Sequence, residues 1–164
     1  MKEFLNKIYE IETLLEQVGK WKAQGKKVVF TNGCFDLLHL GHLQTLSRAR
    51  ALGNHLIVGL NNDASVRRLK GAERPVKDQD NRAALLAALS MVDAVILFAE
   101  DTPLVLIEQL LPDVLCKGGD WKPEQIVGAD VVMANGGEVV ALPFLPDHST
   151  TALANKIKGS GSGV

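Results

Sequence analysis

Residues 28–42 read VVFTNGCFDLLHLGH, and this stretch decides the fold. Val28, Val29 and Phe30 are a short β-branched and aromatic run, the composition of a buried strand. Asn32 and Gly33 are expected to turn the chain. From residue 38 to residue 52 apolar positions recur at helical spacing, up to Gly53, which can take the left-handed conformation that closes a helix. A strand feeding a helix through a short polar loop is the first half of a βαβ unit.

The same alternation continues downstream. Strand-like runs stand at 56–60, 94–98, 114–116 and 138–142. Helical spacing is strong at about 81–91, and it resumes after Thr102 and Pro103, which read as an N-cap with proline at the first helical position and a helix through Leu110. A weaker helical stretch covers 123–127, and Ser149 or Thr150 is expected to cap a last helix to Lys158. Polar residues 61–63 and a mixed loop at 67–80 lie between the second strand and the next helix. Upstream, Ile8, Ile11, Leu14, Leu15, Val18 and Trp21 fall on one face of an N-terminal helix that Gly25 ends. Strands alternating with helices at this spacing predict a Rossmann-like α/β fold: a parallel five-stranded sheet with helices on both faces, plus the N-terminal helix. The expected organisation is a helical extension at 1–25, one domain at 26–158, and a flexible tail or cloning scar at 159–164, where GSGSGV lacks apolar content.

The 164 residues are 46% apolar and 23% charged, with 18 Lys plus Arg against 19 Asp plus Glu, a net charge of −1. There is no basic field for generic nucleic-acid binding, so an anion site has to be local. Apolar runs such as 139–145 are far shorter than the ~20 residues that span a bilayer. The opening MKEFLNKIYEIETLLEQ lacks the basic flank, apolar block and cleavage site of a signal peptide, so a cytoplasmic location without membrane contact is expected. Cys34 and Cys116 form no CxxC pair and are expected to be reduced thiols, Cys116 in the core.

In an open parallel sheet, ligands bind beyond the carboxyl ends of the strands. The segments there are Thr31 to Asp36, Asn61 to Asp63 and Lys117 to Trp121, all polar or rich in glycine. His39 and His42 lie three residues apart at a helix start with Gly41 between them, so they share one face. Unpaired amides and the positive end of the helix dipole, joined by two imidazoles, make an anion site suited to phosphate oxygens or to charge developing on them. Lys70 can reach a phosphate from its loop, with Arg67, Arg68 and Arg74 nearby as substitutes. Arg82 is a weaker candidate, equally readable as a surface salt bridge. Asp36 either assists binding or orders its loop through nearby amides. Asp120 can accept from ribose or sugar hydroxyls beside the permissive Gly118 and Gly119. Trp121 either stacks on a ring or packs half-buried. Lys117 is open between an ion pair and a phosphate contact, and Ser149 and Thr150 between a plain N-cap and a phosphate site. Cys34 is not expected to be a nucleophile.

GCFDLLHLGH at 33–42 resembles the GxFDxxHxGH signature of the nucleotidyltransferase superfamily, which includes cytidylyltransferases and sugar-phosphate adenylyltransferases. NNDASVRRLKG, RPVKDQDNR, LLPDVLCKGGDW, NGGEVVALPF and STT then resemble, in order, the heptose 1-phosphate adenylyltransferase family, over about residues 27–158. The resemblance implies transfer of AMP from ATP to D-glycero-β-D-manno-heptose 1-phosphate, giving ADP-heptose for the lipopolysaccharide inner core. Part of that family is fused to a sugar kinase, and the present length resembles the stand-alone form. Expected catalytic residues are His39, His42 and Lys70. The expected nucleotide-binding set is Asn32, Gly33, Phe35, Asp36, Gly41, Lys117, Gly118, Asp120, Ser149 and Thr150. The expected sugar-phosphate set is Asn61, Asp63, Arg74 and Trp121. No metal ligands are assigned, and Mg2+ is expected to accompany the ATP. Related cytidylyltransferases often carry an arginine just before the STT segment, where this chain has PFLPDH. The family also implies a homodimer. Rival readings are a cytidylyltransferase of the same fold acting on glycerol 3-phosphate or another acceptor, a nucleotide-binding module without turnover, and an aminoacyl-tRNA synthetase fragment, whose KMSKS-type loop is missing.

Overall fold

The computed structural model describes residues 3–143. The expected helix from Ser149 or Thr150 to Lys158 lies outside them. Six strands form one sheet: β1 (Ile8–Tyr9), β2 (Val28–Gly33), β3 (His55–Asn61), β4 (Ala94–Phe98), β5 (Val114–Gly118) and β6 (Glu138–Leu142). Their order is β1-β4-β3-β2-β5-β6, and every pairing is parallel. Among the described residues the α-helices are α1 (Ile11–Ala23), α2 (Leu40–Arg50), α3 (Asp63–Lys70), α4 (Gln79–Ala87), α5 (Leu104–Leu110) and α6 (Ala129–Ala134). No helix among the described residues is long and apolar enough to cross a membrane.

Alternate strand residues face opposite layers, as a pleated sheet buried on both faces requires. Val28, Phe30, Ile57, Ile96 and Leu115 meet α1, α5 and α6 through Leu14, Val18, Ile107, Leu110 and Val132. Val29, Leu56, Val58, Val95 and Val114 meet α2 and α4 through Leu46, Ala49, Ala83 and Leu86. The expected parallel sheet with helices on both faces is therefore present, with corrections in its parts.

The sheet has six strands where five were expected. Ile8 leaves the helix and enters β1, whose two residues pair with Val95 and Ile96 of β4. Two residues are too few to show a period of their own, and tertiary pairing overrides the helical spacing that links Ile8 to Ile11. Asn32 and Gly33 do not turn the chain. They extend β2, paired with Gly59 and Leu60. Residues 63–70, read as polar segment and loop, form α3, where the Asn62 side chain accepts from the Ser65 N–H at 2.9 Å as an N-cap. α5 starts at Leu104 with Pro103 itself as cap, one residue later than expected. The stretch expected to be helical at 123–127 is a 3-10 turn, Pro123–Gln125, and α6 follows it.

Candidate active site

β2 lies at the centre of the sheet. On one side the chain builds outward through β3 and β4, and on the other through β5 and β6. The strand order therefore reverses between β2 and β5, and the crevice above their carboxyl ends is where an open α/β sheet receives its ligand. Lys117 on β5 bridges that reversal: its ammonium donates to the Asn32 carbonyl oxygen and to Asn32 Oδ1, both at 3.2 Å. Burial lowers the pKa of Lys117, and the nearby Lys70 charge lowers it further.

The end of β2 shapes the next turn. A Cβ on Gly33 would stand 2.9 Å from the Phe35 ring, so the glycine is what lets that ring fold back over the strand end. Phe35 itself has a φ of 43°, left-handed backbone that costs a non-glycine residue about 1–2 kcal/mol. Its ring sits 5.2 Å from that of His42. Strain of this kind is retained where surrounding structure over-determines it, characteristically at functional sites.

His39 is the cap residue of α2 and His42 lies in the first turn. Their rings stack with centroids 3.8 Å apart and planes 26° from parallel. The shared face expected from the spacing is thus realised as direct contact at the positive end of an eleven-residue helix. His42 is lowered to a pKa of about 4, mainly by burial and then by the charges of His39 and Lys70, against a raising bond with the Leu37 backbone. At neutral pH its ring is an uncharged imidazole with one N–H to donate.

Two adjoining cavities open here. The larger, about 310 Å³, lies among Cys34, His42, Thr45, Lys70 and Lys117. The smaller, about 220 Å³, is walled by Thr102, Trp121 and Gln125, and shares Asn32, Asp101 and Lys117 with the first. Lys70, the last residue of α3, therefore stands on the same cavity as His42 and Lys117 although they come from three elements. Asn61 and Gly118 also line the larger cavity, whereas Gly41 is buried within α2.

Asp36 is buried and accepts from the N–H groups of Val76 and Lys77 at 2.8 and 3.1 Å, while Arg74 Nε pairs with its other oxygen at 2.8 Å. These contacts tie Asp36, which also lines the larger cavity, to the 71–78 loop and not to amides of its own turn, and Arg74 is engaged in the same network. Asn61 donates to Ser65 Oγ at 2.9 Å, and Ser65 Oγ donates in turn to the Glu100 carbonyl oxygen. Asp120 is exposed and lies outside the walls of both cavities. Trp121 is 47% exposed, and its indole N–H donates to the Gly118 carbonyl oxygen at 3.2 Å. Ser149 and Thr150 lie outside the described residues. Burial pushes the Cys116 thiol up to about 12, so it is an inert core residue.

Arg82 is the residue whose place the spacing missed. It is 1% exposed, not a surface salt bridge. Its guanidinium donates to the carbonyl oxygens of Cys34 (2.6 Å), Asn61 (2.8 Å) and Lys77 (3.0 Å) and pairs with Asp63 Oδ1 at 2.7 Å. One side chain so joins the His-bearing loop, the end of β3, the start of α3 and the 71–78 loop. Arg82, Ala83, Leu86 and Ala87 form the buried face of α4. The i, i+4 step from Arg82 to Leu86 was the signal that could have placed it inward. Asp101, Thr45 and Gln125 were also missed, because nothing local sets them apart from surface polar residues.

The sequence profile described as cytidylyltransferase-like matches residues 30–153. The curated protein called Bifunctional protein HldE from Rhodopseudomonas palustris is 55% identical over 149 residues, covering 91% of this chain and 30% of that protein. Its namesake from Pseudomonas paraeruginosa is 56% identical over 151 residues, 92% of this chain and 32% of the relative. The chain thus spans about a third of the length of these curated relatives. Among solved structures, the lipopolysaccharide core biosynthesis protein from Thermoplasma volcanium superposes with a TM-score of 0.60 at 29% identity, covering 76% of this chain and 100% of that one. Pantoate-beta-alanine ligase from Francisella tularensis, in complex with beta-gamma ATP and beta-alanine, has the same TM-score at 15% identity over 93% of this chain and 77% of its own, which shows a shared fold.

Proposed function

The chain belongs to the cytidylyltransferase-like family, and on that footing we propose that it is an adenylyltransferase, moving AMP from ATP to D-glycero-β-D-manno-heptose 1-phosphate and releasing pyrophosphate. The relatives of which it spans about a third are called bifunctional, and we assign this segment one of their functions. The Thermoplasma neighbour's role in lipopolysaccharide core biosynthesis supports the same pathway for the product.

The observation that carries the reading is His42, stacked on His39 at the N-terminus of α2 and lining, with Lys70 and Lys117, the cavity above the strand-order reversal. A sugar phosphate is already anionic at pH 7, so its oxygen attacks without first losing a proton. That oxygen bonds to the α-phosphorus while the bond to the α,β-bridging oxygen breaks, and the electron pair leaves on pyrophosphate. The protein's work is to align the two oxygens and to stabilise charge at the five-coordinate phosphorus. His39 and His42 donate to phosphate oxygens, the helix amides add to the positive potential, and the two lysines hold the anions together against their repulsion.

The carboxylates near the cavity already have partners. Asp36 is committed to two amides and Arg74, and Asp101 receives Arg68 Nε at 2.8 Å. Among the described residues no group of three His, Cys, Asp or Glu is placed to hold a metal ion. We propose that Mg2+ accompanies the triphosphate as part of the substrate.

Pyrophosphate release measured across the four nucleoside triphosphates and a panel of sugar phosphates tests the reading. ATP with heptose 1-phosphate is the expected pair. Preference for CTP, or for glycerol 3-phosphate as acceptor, would overturn it.

A further inference from the structure

Lys70 reaches the larger cavity from the end of a short helix, and that end has little else to hold it. We infer that Arg68 is a positioning residue: by gripping the turn that follows β4, through the Asp101 carboxylate and the Ala99 carbonyl oxygen, it fixes the last turn of α3 and keeps Lys70 at the cavity. The inference rests on the nucleotidyltransferase reading, in which Lys70 works on phosphate.

The buried residues of α3 are Ser65 and Val66, both in its first half. That half is tied to the end of β4: the Asn62 N–H donates to the Phe98 carbonyl oxygen and Ser65 Oγ to that of Glu100, both at 2.9 Å. The loop beyond the helix is tied down from Arg74 onward, through Asp36. Between the two anchorages run residues 67–73, and every one of them is exposed. Of the side chains in that span, Arg68 is the one hydrogen-bonded to another element among the described residues: Nε donates to Asp101 Oδ1 at 2.8 Å, and a terminal nitrogen donates to the Ala99 carbonyl oxygen. Asn62, Ser65 and Arg68 follow one another at three-residue steps, so their contacts with 98–101 run along one stripe of the helix. Lys70 lies about 200° around the axis from Arg68. Leu69, Lys70 and Asp101 stand on the cavity wall and Arg68 does not, which makes Arg68 a tether and not a phosphate contact.

A tether matters at this position because the empty cavity repels Lys70. Lys117 and His42 stand on the same wall, and burial, followed by neighbouring charges that include Lys70, lowers the pKa of both. An exposed helix end that carries an ammonium toward a second ammonium is pushed outward until an anion arrives. Held by Arg68, the last turn keeps its cation in place before the triphosphate binds, so the site spends less of its binding on reorganisation.

The test is a double-mutant cycle on the full chain with Arg68→Ala, Lys70→Ala and the two together, and with Arg68→Lys as the conservative change. Arg68→Ala is expected to lower kcat by about fivefold, equivalent to ~1 kcal/mol and at the upper end for an exposed ion pair, with KM for ATP within about twofold of the parent. Arg68→Lys should recover most of the loss. In the Lys70→Ala background, Arg68→Ala should change kcat by less than about twofold, because the group it positions is gone. A fivefold loss in both backgrounds would mean that Arg68 acts on something other than Lys70, and an unchanged kcat in Arg68→Ala would mean that it positions nothing; either result overturns the inference. Hydrogen exchange reads the tether without turnover. The Gly71 amide, bonded to the Arg67 carbonyl oxygen at 2.9 Å, should exchange about fivefold faster in Arg68→Ala while the Leu86 amide of α4 keeps its rate. Equal exchange of Gly71 in the two proteins would also overturn it. The Arg68 and Asp101 side chains are 49% and 58% exposed, so the urea midpoint of Arg68→Ala should stay within about 0.5 M of the parent; a larger fall would make Arg68 a general prop of the fold and count against a positioning role. If the parent protein turns over a different pair of substrates, the functional reading fails by itself, and the same cycle run with that pair decides the role of Arg68.

Discussion

Replacing Arg82 by methionine keeps most of the buried stem and deletes the guanidinium, and the structure sets the size of the consequence. Three carbonyl oxygens, on Cys34, Asn61 and Lys77, lose a charged donor at 2.6–3.0 Å, and Asp63 loses its partner at 2.7 Å. Breaking a buried charged pair from one side costs about 3–5 kcal/mol. The Asp63 side chain is 23% exposed and regains some water, which favours the lower half of that range. With a urea m-value of about 2 kcal/mol/M, the unfolding midpoint should fall by roughly 1.5–2 M without change in m. Asp63→Asn should cost less, about 1.5–3 kcal/mol, because the guanidinium keeps its three carbonyl acceptors. In the double variant the two effects should add to less than their sum, since the second change removes a partner already lost. Equilibrium urea unfolding of the four proteins measures all of this. A midpoint shift in Arg82→Met worth less than about 1 kcal/mol, or a larger loss in Asp63→Asn than in Arg82→Met, would refute the claim that this cation holds the site's segments together.

Further outcomes are expected at three residues. His42→Asn should lower kcat by about 10²–10³, the usual cost of one lost donor to a charge-developing centre. Because the His42 pKa falls from 6.5 unfolded to about 4 folded, the unfolded chain binds more protons between those values. Stability present above pH 6.5 is therefore lost as pH drops toward 4, and His42→Asn should flatten that part of the pH–stability curve; NMR of the ring protons reads the pKa directly, and a midpoint near 6.5 would sink the assignment. Asp36→Ala should release the amides of Val76 and Lys77, raising their hydrogen exchange by about 5–150-fold, the equivalent of 1–3 kcal/mol, while Asp36→Asn, which retains an acceptor oxygen, should show less; protection unchanged in Asp36→Ala would show that the loop is held otherwise. Gly128 has a φ of 84°, and a Cβ there would meet Ile107 at 2.7 Å, so Gly128→Ala should lower Tm by several degrees in calorimetry, from about 1–2 kcal/mol of left-handed strain plus the overlap.

Much of the site was readable because local order encodes it. The three-residue step between His39 and His42 sets two side chains on one face of any helix that forms there, and their place just after a strand puts them at its carboxyl end. Asp36 was open between two roles, and its partners Val76 and Lys77, forty and forty-one residues away, could not be read from its own turn. Arg82 was unreadable for a related reason. Charge argues for the surface, and only the convergence of three carbonyl oxygens and Asp63 compensates its burial.

The alternation of apolar β-branched runs with helical spacing determined by itself that this is a parallel α/β sheet, since each period reports which face of an element avoids water. It also placed the imidazole pair. Tertiary structure alone decided that residues 8 and 9 complete a sixth strand, that Lys117 reaches Asn32 across 85 positions of chain, and that the crevice divides in two. Burying one face is a property of a segment, whereas strand partnership and the neutralisation of buried charge belong to groups that meet only when the chain has folded.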